Sequence, residues 1–253
     1  MVANAVAGPG PSPWWFQSPR RPSLFLEQRA GVELAELFMN PVYYGIGVPH
    51  GAGTPVLLLP GFLGSDGYLS IMSSWLRRTG YRPYSSGFTI VAGSPFDMIA
   101  RVLRRAEQIA AESRRPVTVI GHSLGGMLAC VLARLRPDLV THVITMGSPL
   151  CEDPRTASHP LVAALADLLV REGRAPRNAV VTAREFERQL FTGPMPENVR
   201  LTCIFTREDA VVDWRACTDG DPRTTAHEVR GTHVGLAWNA QVYGHVGRAL
   251  PLR

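Results

Sequence analysis

Short, almost wholly apolar runs recur along this chain and alternate with amphipathic stretches. Val56–Leu59, Val117–Ile120, Val143–Met146 and Leu201–Phe205 are such runs. A strand with no polar side must be covered on both faces. Strands of this kind, separated by helices, imply a mostly parallel central sheet with helices packed on each face, an α/β architecture. Connections between parallel strands are then right-handed, and a ligand site is expected at the strands' C-terminal edge.

The stretches between the runs fit that architecture. A helix is expected from a Ser23 cap to about Met39, with Leu26, Leu34, Leu37 and Phe38 on one face. Tyr68 to Arg78 reads as a helix, and Arg82 to Phe88 as a weaker strand. Ser94 and Pro95 suit the cap and first position of a helix with Phe96, Ile99, Leu103, Ala106 and Ala110 on its apolar face. Leu124, Met127, Leu128, Val131, Leu132 and Leu135 follow at helical spacing. A strand at Ala226 to Arg230 and a helix from Gly235 to Leu250 close the pattern.

Two regions break the rhythm. Residues 1–22 carry five prolines and read as an irregular arm, pinned to the body by Trp14, Trp15 and Phe16. Residues 150–198 contain Pro154, Pro160, Pro176, Pro194 and Pro196 around two helix candidates, one from Pro160 to Val170 and one opened by the capping box Thr182–Glu185. This second region reads as a helical lid inserted at the sheet edge. The expected organisation is one domain over 23–253.

Every one of the 26 basic residues is arginine. Without lysine, Schiff-base chemistry, a P-loop lysine and a pyridoxal phosphate anchor are excluded. Arginine pairs at 20–21, 77–78, 104–105 and 114–115 fall on separate elements rather than in one stripe, which argues against nucleic acid. No apolar run is long enough to span a bilayer. Cys130, Cys151, Cys203 and Cys217 show no metal-ligand spacing; Cys130 and Cys203 lie in apolar patterns, whereas Cys151 and Cys217 fall in loops and pair only if the fold joins them. Four reduced thiols, and no basic start followed by an apolar stretch, suggest a cytoplasmic protein.

Chemistry concentrates at Gly121-His122-Ser123-Leu124-Gly125-Gly126. This G-x-S-x-G sequence lies directly between an apolar strand and an amphipathic helix, the context its chemistry requires. A serine on a strained turn projects its hydroxyl above the sheet edge. Side chains at Gly121 and Gly125 would clash as helix folds back on strand, and the helix N-terminus favours negative charge nearby.

With Leu58–Gly64 upstream, Phe205–Trp214 after a late strand and Arg230–Leu236 before the last helix, residues 54–250 resemble the α/β-hydrolase family, and within it bacterial lipases and esterases. The resemblance implies Ser123 as nucleophile, Asp209 as acid and His233 as base, in that family's chain order. Asp209 is preferred over Glu208 and Asp213 by its offset from the strand end, while Asp213 suits a cap on the next turn. The backbone N–H groups of Phe62 and Leu124 would form the oxyanion hole, although Pro60 stands where the family usually has histidine. His122 would pack beside the site.

The resemblance also implies an acyl-enzyme route needing no metal or organic cofactor. A small hydrophobic ester or acyl compound is the expected substrate, with Leu63, His122, Val211 and Val234 lining its pocket beside Phe62, Leu124, Phe186 and Phe191. Ester hydrolysis is the leading reading. Acyl transfer, or cleavage of a thioester or amide, uses the same triad, and a non-catalytic binding protein would need it least.

Overall fold

The order of the strands across the sheet explains where a site can form. In the computed structural model, which describes residues 22–151, 157–164 and 194–250, six strands lie in the order β2-β1-β3-β4-β5-β6. They are β1 (Pro55–Leu59), β2 (Arg82–Ser85), β3 (Val117–His122), β4 (Val140–Met146), β5 (Arg200–Thr206) and β6 (Thr225–Val229). All five pairings are parallel. The chain steps from β1 outward to β2, then returns to place β3 on the other side of β1. That reversal opens a crevice beyond the carboxyl ends of β1 and β3, where ligands bind in open α/β sheets.

Among the described residues, the helices that pack on the sheet are α1 (Ala30–Met39), α2 (Ser70–Arg78), α3 (Pro95–Ser113), α4 (Leu124–Leu135) and α5 (Ala240–Ala249). Alternate strand side chains point to opposite faces. Leu57, Leu59, Val119 and Val143 therefore pack with Ile99, Val102 and Leu128 of α3 and α4. Val56, Leu58, Ile120 and Ile144 face Leu37, Trp75, Leu76, Val242 and Val246 of α1, α2 and α5. Both faces are covered, as the unbroken apolar strands require.

Several local expectations need revision. The first helix begins as a tighter 3-10 turn, Leu24–Arg29, with Ser23 Oγ accepting from Phe25 N at 3.3 Å. Only Leu37 of its expected apolar face is buried; Leu26 and Phe38 remain exposed, and Glu33 is buried instead. β2 stops at Ser85 rather than Phe88. Ser94 stands at the cap position of α3, but its hydroxyl makes no capping bond. The last helix is two pieces, a 3-10 turn Val234–Trp238 and α5, because Asn239 between them accepts from Gln241 N and Val242 N and restarts the helix. Most of the expected lid lies outside the described residues, including both its capping box and Phe186 and Phe191.

Cys130, Cys203 and Cys217 are buried, Cys217 despite its loop-like sequence. No disulfide joins Cys151 to Cys217. Among the described residues no helix is long and apolar enough to cross a membrane.

Candidate active site

β3 hands directly to α4 through one strained residue. Ser123 N donates to Met146 O at 2.8 Å, extending the ladder with β4 by one residue. Ser123 then takes φ 52° and ψ −121°, a left-handed backbone that costs about 1–3 kcal/mol in a non-glycine residue. The neighbouring glycines permit the turn. A Cβ on Gly121 would strike the backbone of Gly125 and Gly126, and one on Gly125 would strike the carbonyl of Leu59. The strand, the turn and the helix thus touch backbone to backbone, which only glycine allows.

The loop after β1 lies alongside. Gly64 N donates to Gly61 O at 2.9 Å, closing a turn in which Leu63 has φ 59°. Leu63 N and Val91 O, then Val91 N and Gly64 O, pair at 2.9 and 2.8 Å and tie this loop to the segment after β2. A Cβ on Gly61 would come within 3.0 Å of the Ser123 side chain, so the two turns are in contact. Among the described residues, the N–H groups of Phe62 and Leu124 make no hydrogen bond.

Asp209, after β5, is 5% exposed. Its Oδ1 accepts from Val211 N at 2.8 Å and Val212 N at 2.7 Å, which locks the carboxylate onto its own loop. Its Oδ2 lies 2.7 Å from Nδ1 of the buried His233. Burial alone would lower the His233 pKa, but the charge and hydrogen bond of Asp209, with the charge of Glu27, outweigh it and leave it raised. Asp213 instead caps the 3-10 turn Trp214–Cys217, accepting from Arg215 N at 3.0 Å. Glu208 is a surface residue paired with Arg29 at 3.2 Å.

His122 packs its ring 4.7 Å from that of His233, centroid to centroid. Burial, then the nearby His233, lowers its pKa to about 3. It is therefore neutral, and its Nε2–H donates to the His233 carbonyl at 2.9 Å.

A cavity of about 330 Å³ opens over these groups. It is lined by Gly61, Phe62, Leu63, Gly64, Tyr68, His122, Ser123, Val162, Val211, His233 and Val234. Ser123 and His233 thus face one space, together with Phe62 and the four expected pocket residues. Leu124 stands at the elbow but does not line the cavity. Val162 comes from the described segment 157–164, where His159 N donates to Val211 O and Asp213 N to Ala157 O.

Sequence reasoning missed Tyr68, Glu27 and Glu33. Tyr68 Oη donates to Val234 O at 2.7 Å, and its pKa is raised by burial and then by the charges of Glu27, Glu33 and Asp209. Glu33 accepts from Thr232 N and Thr232 Oγ1, both at 2.8 Å, and from Asn239 Nδ2 at 3.2 Å. Glu27 accepts from three backbone N–H groups, of Ala210, His233 and Val234. By helical spacing Glu27 falls seven residues before Leu34 and Glu33 four before Leu37, so both carboxylates interrupt the expected apolar face. No group of three or more histidine, cysteine or acidic residues suited to a metal occurs among the described residues.

Known proteins share this fold. A family described as having the alpha/beta hydrolase fold matches residues 54–183. The chain is 29% identical over 175 residues to an sn-1-specific diacylglycerol lipase, ABHD11, of Xenopus tropicalis, covering 64% of this chain and 53% of that protein. A triacylglycerol lipase of Pseudarthrobacter phenanthrenivorans is 32% identical over 105 residues, 38% of this chain and 33% of the relative. The chain therefore spans about half, or a third, of the relatives it matches. Among solved structures, the monoacylglycerol lipase of Paleococcus ferrophilus superposes with a TM-score of 0.52 at 13% identity, over 79% of this chain and 95% of that one.

Proposed function

This chain belongs to the α/β-hydrolase family, and from that premise we propose that it is a serine hydrolase that cleaves carboxylic esters through Ser123, His233 and Asp209. The observation that carries the reading is the 2.7 Å contact of Asp209 with His233, whose ring shares a cavity with a serine held at a left-handed turn. His233 takes the proton from Ser123 as its hydroxyl attacks the ester carbonyl. Asp209 holds the imidazole with its proton on Nδ1 and stabilises the imidazolium. The N–H groups of Phe62 and Leu124 supply the donors for the oxyanion. An acyl-enzyme forms, the alcohol leaves, and water activated by His233 releases the acid.

The cavity supports a hydrophobic acyl group, because Phe62, Leu63, Val162, Val211 and Val234 supply much of its wall. The lipase names of the relatives agree with such a substrate. The lid reading of residues 150–198 is favoured by the contacts of 157–162 with the acid loop and the cavity. Residues 23–253 form one domain in this reading. The buried thiols of Cys130, Cys203 and Cys217, and the lack of a Cys151–Cys217 disulfide, suit a reducing compartment such as the cytoplasm.

A fluorophosphonate probe tests the nucleophile. It should label the chain stoichiometrically, and Ser123→Ala should abolish labelling; a folded chain that ignores the probe would sink the reading. A series of p-nitrophenyl esters then ranks acyl-chain length. Labelling without hydrolysis of any ester would direct attention to acyl transfer or another acyl bond.

A further inference from the structure

We propose that Glu27 is a positioning residue for His233, so that one carboxylate from the segment before the sheet helps to aim the base. The inference rests on the serine-hydrolase reading above and assigns this chain a component supplied from outside residues 54–183, the span matched by the family.

Glu27 lies in the 3-10 turn Leu24–Arg29, far in sequence from both loops it holds. Its Oε1 accepts from Ala210 N in the acid loop and His233 N in the base loop, both at 3.2 Å, and its Oε2 accepts from Val234 N at 2.8 Å. One carboxylate therefore spans the loop of Asp209 and the loop of His233. On the other side of the base loop, His122 donates to His233 O and Tyr68 to Val234 O. The N–H and C=O groups of both His233 and Val234 are then all partnered. A peptide bonded at all four groups cannot rotate without breaking one, so the imidazole keeps its aim. Catalysis depends steeply on such aim, a misplacement of about 1 Å costing as much as ~10² in rate.

The segment is seated independently of Glu27. Arg29 pairs with Glu208 at 3.2 Å, and Glu33 holds Thr232 and Asn239. Glu27 also adds negative charge near the imidazole. The titratable groups around His233 are Asp209 from the acid loop, Glu27 and Glu33 from the N-terminal segment, His122 from β3 and Tyr68 from the turn before α2. A carboxylate favours the imidazolium, so removing one lowers the pKa at which the base becomes available.

The test compares the wild type, Glu27→Gln, Glu27→Asp and Arg29→Ala in the full chain. Fluorophosphonate labelling, kcat and KM for p-nitrophenyl butyrate between pH 5 and 9, and an NMR titration of the histidines are measured for each. In Glu27→Gln, KM should stay within about twofold, because Glu27 does not line the cavity, while kcat falls about tenfold through lost aim. The acid limb of kcat/KM and the His233 titration should move down by about half a pH unit. Glu27→Asp keeps the charge on a shorter arm, so its kcat falls but its acid limb stays with the wild type. Arg29→Ala loosens the same segment and should leave kcat and acid limb unchanged.

Wild-type kcat and acid limb in Glu27→Gln, with the wild type active, would overturn the inference. An Arg29→Ala variant as impaired as Glu27→Gln would overturn it too, since docking of the segment would then explain everything. If Glu27→Gln does not fold, Glu27→Asp decides: undiminished kcat refutes the positioning role. A wild type that neither labels nor hydrolyses fails the serine-hydrolase reading itself, and is recognised as such before any variant is compared.

Discussion

The proposed nucleophile and its proposed base are built in opposite ways. Ser123 is positioned by one continuous stretch, β3, the turn and α4, whose shape depends on missing side chains at Gly121 and Gly125. His233 is positioned by side chains from four separate stretches: Glu27 and Glu33 before the sheet, Tyr68 before α2, His122 at the end of β3, and Asp209 after β5. The first half is held by backbone contact and stores strain. The second half is held by hydrogen bonds to backbone groups and by charge. A local device fails when something is added to it; a dispersed one fails when a partner is removed.

That contrast can be broken from either side. The largest effect is expected on the dispersed side. Asp209→Asn should cut kcat by about 10⁴-fold by misorienting the imidazole, while the chain stays folded. Its neighbour Asp213→Asn should leave kcat within about twofold and cost at most about 1 kcal/mol, because its side chain caps a turn and pairs with the half-exposed Arg215. Kinetics and denaturation on the two variants check the assignment, and a reversed pattern would mean the acid is Asp213.

On the local side, Gly125→Ala should act through stability before chemistry. Its Cβ meets the Leu59 carbonyl, and backbone does not yield as a flexible side chain can, so about 3 kcal/mol or more should be lost. Urea denaturation reads this directly. A Gly125→Ala chain as stable as the wild type would show that the elbow is looser than its contacts imply.

The smallest effect separates the histidines. Burial lowers the pKa of His142 to about 3, and Thr202 Oγ1 lies 2.9 Å from its ring, whereas His233 is raised by Asp209 and Glu27. For His142 the folded pKa lies below the unfolded value near 6.5, so its contribution is full above that pH and lost as pH falls toward 3. His233 has the opposite sign: its contribution is present below the unfolded value and lost as pH rises through its folded pKa. Urea denaturation at pH 7, 6 and 5 should therefore show His142→Gln losing less stability on acidification than the wild type, by roughly 1 kcal/mol per pH unit. Parallel pH profiles would mean that His142 is not the buried neutral imidazole described.

Much of the local half was legible in advance. Apolar runs announced β1, β3, β4 and β5 because a strand covered on both sides has no polar face to confuse its period. The split at Asn239 was less visible, since the apolar spacing carries straight across it, although Asn before Ala-Gln-Val is a recognisable cap. The exposed Leu26 and Phe38 show the limit of periodicity. A helix face is buried only where another element arrives, and in α1 the buried residues are Ala30, Glu33 and Leu37.

What the amino-acid order determined by itself was the strand-turn-helix around Ser123 and the parallel sheet beneath it; Asp209 and His233 were singled out by resemblance to the α/β-hydrolase family. The first two rest on local properties of the chain: hydrophobic period and glycine's freedom of backbone. Only the tertiary structure decided what holds the base. By helical spacing Glu27 and Glu33 fall among the apolar positions of their segment, but nothing local says that they accept from loops about 200 residues away. Their role comes from which backbone N–H groups lack a partner once the sheet has formed, and that is a property of the assembled fold.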